Sequence, residues 1–202
     1  RARIEEIFVG MNKVYSKSDL FGYSHSQSVD PVSTSLPKTE IEFSINNAGG
    51  EYNPYNEQGV SKYLMTRQEV KTKYGLSVNG GIEWIKGGTF YLSEWSAKQN
   101  GLTAEFKARD LLEFMSAVYE ESHDLSSRTL YDMAEKVLIA ADLPLNDDGT
   151  VKWIIDDSLK SITTTAPLPK DTLANCLQVI ANAAECVLYQ DRGGTLHIEP
   201  LK

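Results

Sequence analysis

The stretch TFYLSEWSAKQNGLTAEFKARD, residues 89–110, constrains the fold more than any other part of the chain. Asn100-Gly101 suits a two-residue type I′ turn, because both central positions need positive φ and these two residues adopt it at least cost. Counting outward pairs Ala97 with Ala104, Trp95 with Phe106 and Ser93 with Ala108. Side chains alternate along a strand, so these six share one face and Thr103, Glu105, Lys107 and Arg109 take the other. The Trp95–Phe106 pair contributes about 0.2–1 kcal/mol beyond an Ala pair. A hairpin patterned this way makes one wall of a barrel or sandwich.

The residues before it also read as strands and turns. Ile4 to Val14 is rich in β-branched and aromatic residues, and Glu40 to Ile45 alternates polar and apolar. NNAGGEYNPYNEQG, residues 46–59, is a loop by composition. KYLMTRQEVKTKYGL, residues 62–76, fits a strand or a helix, and strand is the expectation.

From Asp110 the period changes. DLLEFMSAVYE places Leu111, Leu112, Met115 and Val118 on one helical side, with Asp110 as N-cap. Leu130, Met133, Ala134, Val137, Leu138 and Ala141 form a second stripe. Leu173, Cys176, Leu177, Ile180, Ala181 and Ala184 form a third, both running i, i+3, i+4, i+7, i+8, i+11. The second and third are each followed by an Asp/Gly-rich turn and a β-rich run, NDDGTVKWII and DRGGTLHIE, an arrangement suggestive of a duplicated unit. In the last hairpin, a turn over Asp191 to Gly194 would set Val187 opposite Ile198 and Tyr189 opposite Leu196, all on a face covered by the preceding helix. The predicted class is α+β. A β-rich, barrel-like or sandwich domain spans 1–109, and an α+β domain of helix, helix, strand, helix and β-hairpin spans 110–202.

A chain of 202 residues buries about 70% of its unfolded surface, enough for a real core. No run of about 18 apolar residues is present, so membrane insertion is not expected. The chain begins Arg1-Ala2-Arg3 without a Met or a charged-then-apolar leader, and both ends read as strand; a fragment of a longer protein is the expectation. Net charge is −8, from 28 acidic and 20 basic residues. Phosphate-backbone binding needs clustered Lys and Arg, so sequence-specific nucleic-acid binding is not expected. An acidic surface can instead repel DNA from a channel wall.

Candidate chemistry is sparse. His25, His123 and His197 are far apart and lack HExxH spacing; His197, on the strand side opposite Leu196 and Ile198, is expected at solvent or at an interface. Asp147-Asp148 before Gly149 reads as turn chemistry, and Pro144 stands where an EF-hand needs its first Asp. Asp156-Asp157 suits a strand end or a helix start, and a cell-wall hydrolase built on these carboxylate pairs is a distant reading. GxSxG, GxxxxGK[ST] and GxGxxG are absent. Cys176 and Cys186 read as small core residues in a reducing compartment; a disulfide is open if helix and strand lie side by side, and zinc would need more ligands. Tyr52 and Tyr55 either stack on sugar rings or pin the Asn-rich loop to the barrel. No catalytic, cofactor or metal residue is assigned, and no enzyme activity is expected.

The succession SVDPVSTSLPKTEIEFSI, EYNPYNEQG, EWIKGGTFYLSEW, LTAEFKARDLLEFM and LQVIANAAECVLYQDRGGTLHIEPL resembles phage and prophage tail structural proteins of the baseplate-hub or tail-tip family from Gram-positive hosts. The resemblance runs over most of the chain, and its specificity lies in the order of segments rather than in one motif. It implies a virion tail subunit, assembled in the bacterial cytoplasm, that forms a ring around the DNA channel through self-association, commonly as a homotrimer, and contacts other tail proteins. It carries no catalytic residues over. The alternative is a carbohydrate- or cell-wall-binding module of a phage tail protein, using Tyr52 and Tyr55.

Overall fold

The computed structural model describes residues 13–16, 18–30, 35–97, 101–121 and 125–201. The expected N-terminal strand over Ile4 to Val14 lies outside them up to residue 12, as does the Asn100 turn position. The fold is α+β. Five strands, β1 (Leu20–Ser28), β2 (Lys38–Asn46), β3 (Glu69–Val78), β4 (Gly81–Ala97) and β5 (Thr103–Arg109), form an antiparallel sheet in the order β1-β2-β5-β4-β3.

The β4–β5 ladder keeps the expected Ala97–Ala104 and Trp95–Phe106 pairs. The third expected pair is corrected: Leu92, not Ser93, stands opposite Ala108, because a bulge between Leu92 and Glu94 takes up one residue. Ser93 turns aside and donates its hydroxyl to the Lys107 carbonyl at 3.0 Å. Beyond the bulge, the same alternation keeps Ala104, Phe106 and Ala108 buried and Thr103 and Glu105 exposed.

The sheet curls into a half-barrel, and its two edge strands meet through side chains. Tyr23 of β1 lies 2.6 Å, hydroxyl to hydroxyl, from Tyr74 of β3, and His25 Nδ1 lies 2.7 Å from the same Tyr74 oxygen. His25 is also edge-on to Phe90 at 5.4 Å, and burial, with the charge of Arg192, lowers its pKa. Inside the curl, Ile41, Phe90 and Ala108 form one cluster and Ile45, Tyr52, Leu92, Ala104 and Phe106 another. The loop over residues 47–66 closes the second cluster with Tyr52, Val60 and Leu64.

The second half holds β6 (Arg128–Thr129), α1 (Leu130–Ala140), β7 (Trp153–Ile155), β8 (Thr163–Thr164), α2 (Leu173–Ala183), β9 (Cys186–Gln190) and β10 (Leu196–Pro200). β7 and β10 run parallel, β10 and β9 antiparallel, and β6 pairs with β8. Thr129 and Thr172 cap the two helices, accepting from Asp132 N at 3.0 Å and Asn175 N at 3.2 Å. Both predicted stripes are buried from their first residue through Leu138 and Ala181, and they face each other across one core.

The helix expected over residues 110–120 is corrected to a single 3-10 turn, Leu111–Phe114. The reason lies in α2, whose first-turn N–H groups have no partner within the helix. Leu173 N donates to Ala117 O and Ala174 N to Met115 O, while Tyr119 N reaches back to Asp171 O. Residues 115–119 thus spend their backbone on capping a neighbour. Asp110 is buried and accepts the Thr39 N–H at 2.6 Å, tying the exit of β5 to the start of β2.

The last hairpin is also corrected. Its register sets Leu188 opposite Ile198 and Tyr189 opposite His197, one residue from the expected pairing. Asp191 N bonds Thr195 O, leaving a three-residue loop in which Gly194 has φ +90°. A one-residue slip exchanges the faces of a strand. Leu188 and Cys186 therefore enter the core, and Val187 and Tyr189 turn away from it.

Candidate functional site

The feature that the sequence analysis missed is the far end of the β3–β4 hairpin. β4 is 17 residues long, and among the described residues its stretch 81–90 pairs only with β3, whereas Tyr91 onward also joins β5. The turn is Asn79-Gly80, with φ of 49° and 83°, the same signal that marks Asn100-Gly101.

This projecting ribbon carries large apolar side chains in water. Leu76 is 70% exposed, Ile82 61%, Trp84 62% and Ile85 58%. The strand pairing places Leu76 and Ile85 on one face, and Ile82 and Trp84 on the other. Gly75 permits the second arrangement, since a Cβ there would lie 2.8 Å from Ile82 Cγ2 and 2.9 Å from the Trp84 ring. Each such side chain gains about 1.5–3 kcal/mol when fully buried. Clustered exposed apolar surface of this kind marks an interaction site.

The sheet's outer, polar face has a different character. Arg109 Nε bonds Glu40 at 2.8 Å, Arg109 also bonds Glu113, and Lys107 bonds Glu42 at 2.8 Å. Burial opposes the Glu40 charge, but hydrogen bonds from Arg109 and Lys107 outweigh it and hold the carboxyl below its usual range. Lys152, itself buried, joins the two halves by reaching Glu69 at 3.0 Å and the Tyr91 hydroxyl at 3.1 Å.

The residues singled out in the sequence are not gathered into one place. His123 lies outside the described residues. His197 points away from the core but is not at open solvent: it stacks on Tyr189 at 5.0 Å and bonds Asp191 at 3.2 Å, leaving 14% of its side chain exposed. Asp148 accepts from Thr150 N and Oγ1 at 2.9 and 2.6 Å, which is turn chemistry, and Asp156 caps a 3-10 turn through Ser158 N. Cys176 and Cys186 are buried free thiols. Tyr52 is 5% exposed and edge-on to Phe106, so it pins the loop and is closed to a sugar ring; Tyr55 is 76% exposed. Among the described residues, no group of three or more His, Cys, Asp or Glu side chains is placed to hold a metal, and no helix is long and apolar enough to cross a membrane.

No protein-family profile and no curated protein matches the chain. Among solved structures, the fold is similar to the 43 kDa tail protein of prophage MuSo2 from Shewanella oneidensis, with a TM-score of 0.50 and 14% identity over 83% of this chain. The tail protein from Neisseria meningitidis MC58 aligns with a TM-score of 0.48 and 14% identity over 87% of the chain. The chain spans 46% and 44% of the lengths of those two proteins.

Proposed function

We propose that this chain is a structural, non-enzymatic subunit of a phage or prophage tail, of the baseplate-hub kind, building a ring around the DNA channel by self-association. The single observation that carries this reading is the projecting β3–β4 ribbon, with Leu76, Ile82, Trp84 and Ile85 held in water on strand ends that, among the described residues, pair with each other alone. A soluble monomer gains nothing from such a ribbon, whereas an assembling subunit buries it against a neighbour. The likeness of the fold to the MuSo2 tail protein supports the same reading, as does the segment-by-segment resemblance to hub proteins. The homotrimer, the Gram-positive host, assembly in the bacterial cytoplasm and the treatment of 110–202 as a separate domain belong to this proposal.

The glycan-binding alternative is not retained, because burial of Tyr52 breaks up the pair of tyrosines on which it depends. Light scattering across a concentration series, with negative-stain microscopy, tests the proposal. Closed oligomers at high concentration are expected, and a particle that stays monomeric throughout overturns it.

A further inference from the structure

A cleft of about 370 Å³ lies where the sheet meets the turns of the second half. Lys71, Lys73, Lys86, Lys152 and Arg192 line it, together with Glu69, Asp147 and Asp148. Two of the cations are accounted for, since Lys71 and Lys152 both bond Glu69, at 2.7 and 3.0 Å. The other three are not. Lys73 stands directly opposite Lys86 in the β3–β4 ladder, a like-charge pairing that works against the sheet. Among the described residues, Lys73, Lys86 and Arg192 make no ion pair. On the rim, Asp148 is turned toward Thr150. In a chain of net charge −8, three cations without an ion pair beside one cleft make a locally basic patch, with Asp147 also in its lining.

The complementary surface is present on the same molecule. A shallow groove of about 510 Å³ extends over β1, β2, β5 and β4, lined by Glu42, Glu94, Glu105 and Lys107, of which Lys107 is engaged with Glu42 at 2.8 Å. Glu105 has no ion-pair partner among the described residues, and Glu94 has only a long 3.6 Å contact to Arg109, with 68% of its side chain exposed. Basic cleft and acidic groove are different patches, so a contact between them is head-to-tail, the type that generates a ring when the rotation closes. Opposed charge also suppresses wrong pairings and sets register.

We propose that the Lys73–Lys86–Arg192 cleft of one copy receives the Glu94 and Glu105 carboxylates of the next copy. This rests on the ring-forming reading and names the contact within it. The experiment is sedimentation of the full chain and its charge variants, with circular dichroism confirming the fold. Association of the wild-type chain weakens on going from about 0.1 M to about 1 M salt, because screening shortens the reach of the charges. Lys73→Glu with Lys86→Glu lowers the association constant at least tenfold, and so does Glu94→Lys with Glu105→Lys. All four changes in one chain restore association. If the lysine-to-glutamate pair does not fold, Lys73→Gln with Lys86→Gln supplies a milder version with the same direction. Wild-type association in either double variant, or no recovery in the fourfold variant, overturns the proposal. Loss of association on removing the apolar ribbon, with inert charge variants, sinks this contact but leaves the ring reading standing. A chain that never associates sinks both.

Discussion

The two halves of the molecule solve burial in opposite ways. Among the described residues, the second half gathers twenty-one buried side chains from Leu112 to Ile198 into one core, closed by α1 and α2 over β7, β10 and β9. The first half divides its interior into clusters of five and three, and leaves Leu76, Ile82, Trp84 and Ile85 in water. The contacts between the halves include polar ties: Lys152 to Glu69 and Tyr91, and Gln190 Nε2 to the Thr89 carbonyl at 2.8 Å. The second half thus holds one large core, although Ile139, Leu145 and Ile154 stand exposed on it, whereas the first half divides its core and leaves the apolar side chains of the β3–β4 ribbon in water.

That contrast breaks most visibly in the core of the second half. Leu177 is fully buried, and Leu177→Ala should cost about 2–5 kcal/mol in urea unfolding, from lost transfer energy plus the cavity left behind. A loss below about 1 kcal/mol would mean that this core is looser than its burial implies.

A smaller effect sharpens the junction between the halves. Burial pushes the Asp110 carboxyl up to about 6, against its ordinary 3.8, despite backbone N–H groups that favour the charge. The folded protein therefore holds this proton more tightly than the unfolded chain does. Its contribution to stability is complete below about pH 4 and is lost as pH rises through about 6. Relative to Asp110→Asn, the wild-type chain should lose about 1–3 kcal/mol between pH 4 and pH 7. Parallel pH profiles for the two proteins would remove Asp110 from the account.

The smallest expected change in stability is at the ribbon. Trp84→Ser should alter the unfolding free energy of the isolated chain by no more than about 0.5 kcal/mol, as at an exposed site, while weakening self-association. Destabilisation beyond about 2 kcal/mol would show the ribbon packed within its own chain, and the contrast between the halves would fail.

Much of this architecture was legible before any coordinates. The stripes of α1 and α2 are local patterns, as is the Trp95–Phe106 pair across a tight turn, since the residues that decide them are close in sequence. The site was less legible. Asn79-Gly80 announces a turn as plainly as Asn100-Gly101 does, but Leu76, Ile82, Trp84 and Ile85 look in sequence like any half-buried strand pair. Nothing in their spacing says that no second layer covers them.

By itself the amino-acid order determined the β-rich first half, the two amphipathic helices and the approximate place where one pattern yields to the other. Only the tertiary structure decided that residues 115–119 cap α2 instead of coiling, that Gly194 slips the last hairpin by one residue, and that Lys73 and Lys86 share a cleft with Arg192. The physical reason is range. Helix periodicity and strand alternation are set by neighbours a few residues away, whereas capping partners, registers and charge clusters join segments tens of residues apart, and their energies exist only once the chain has folded.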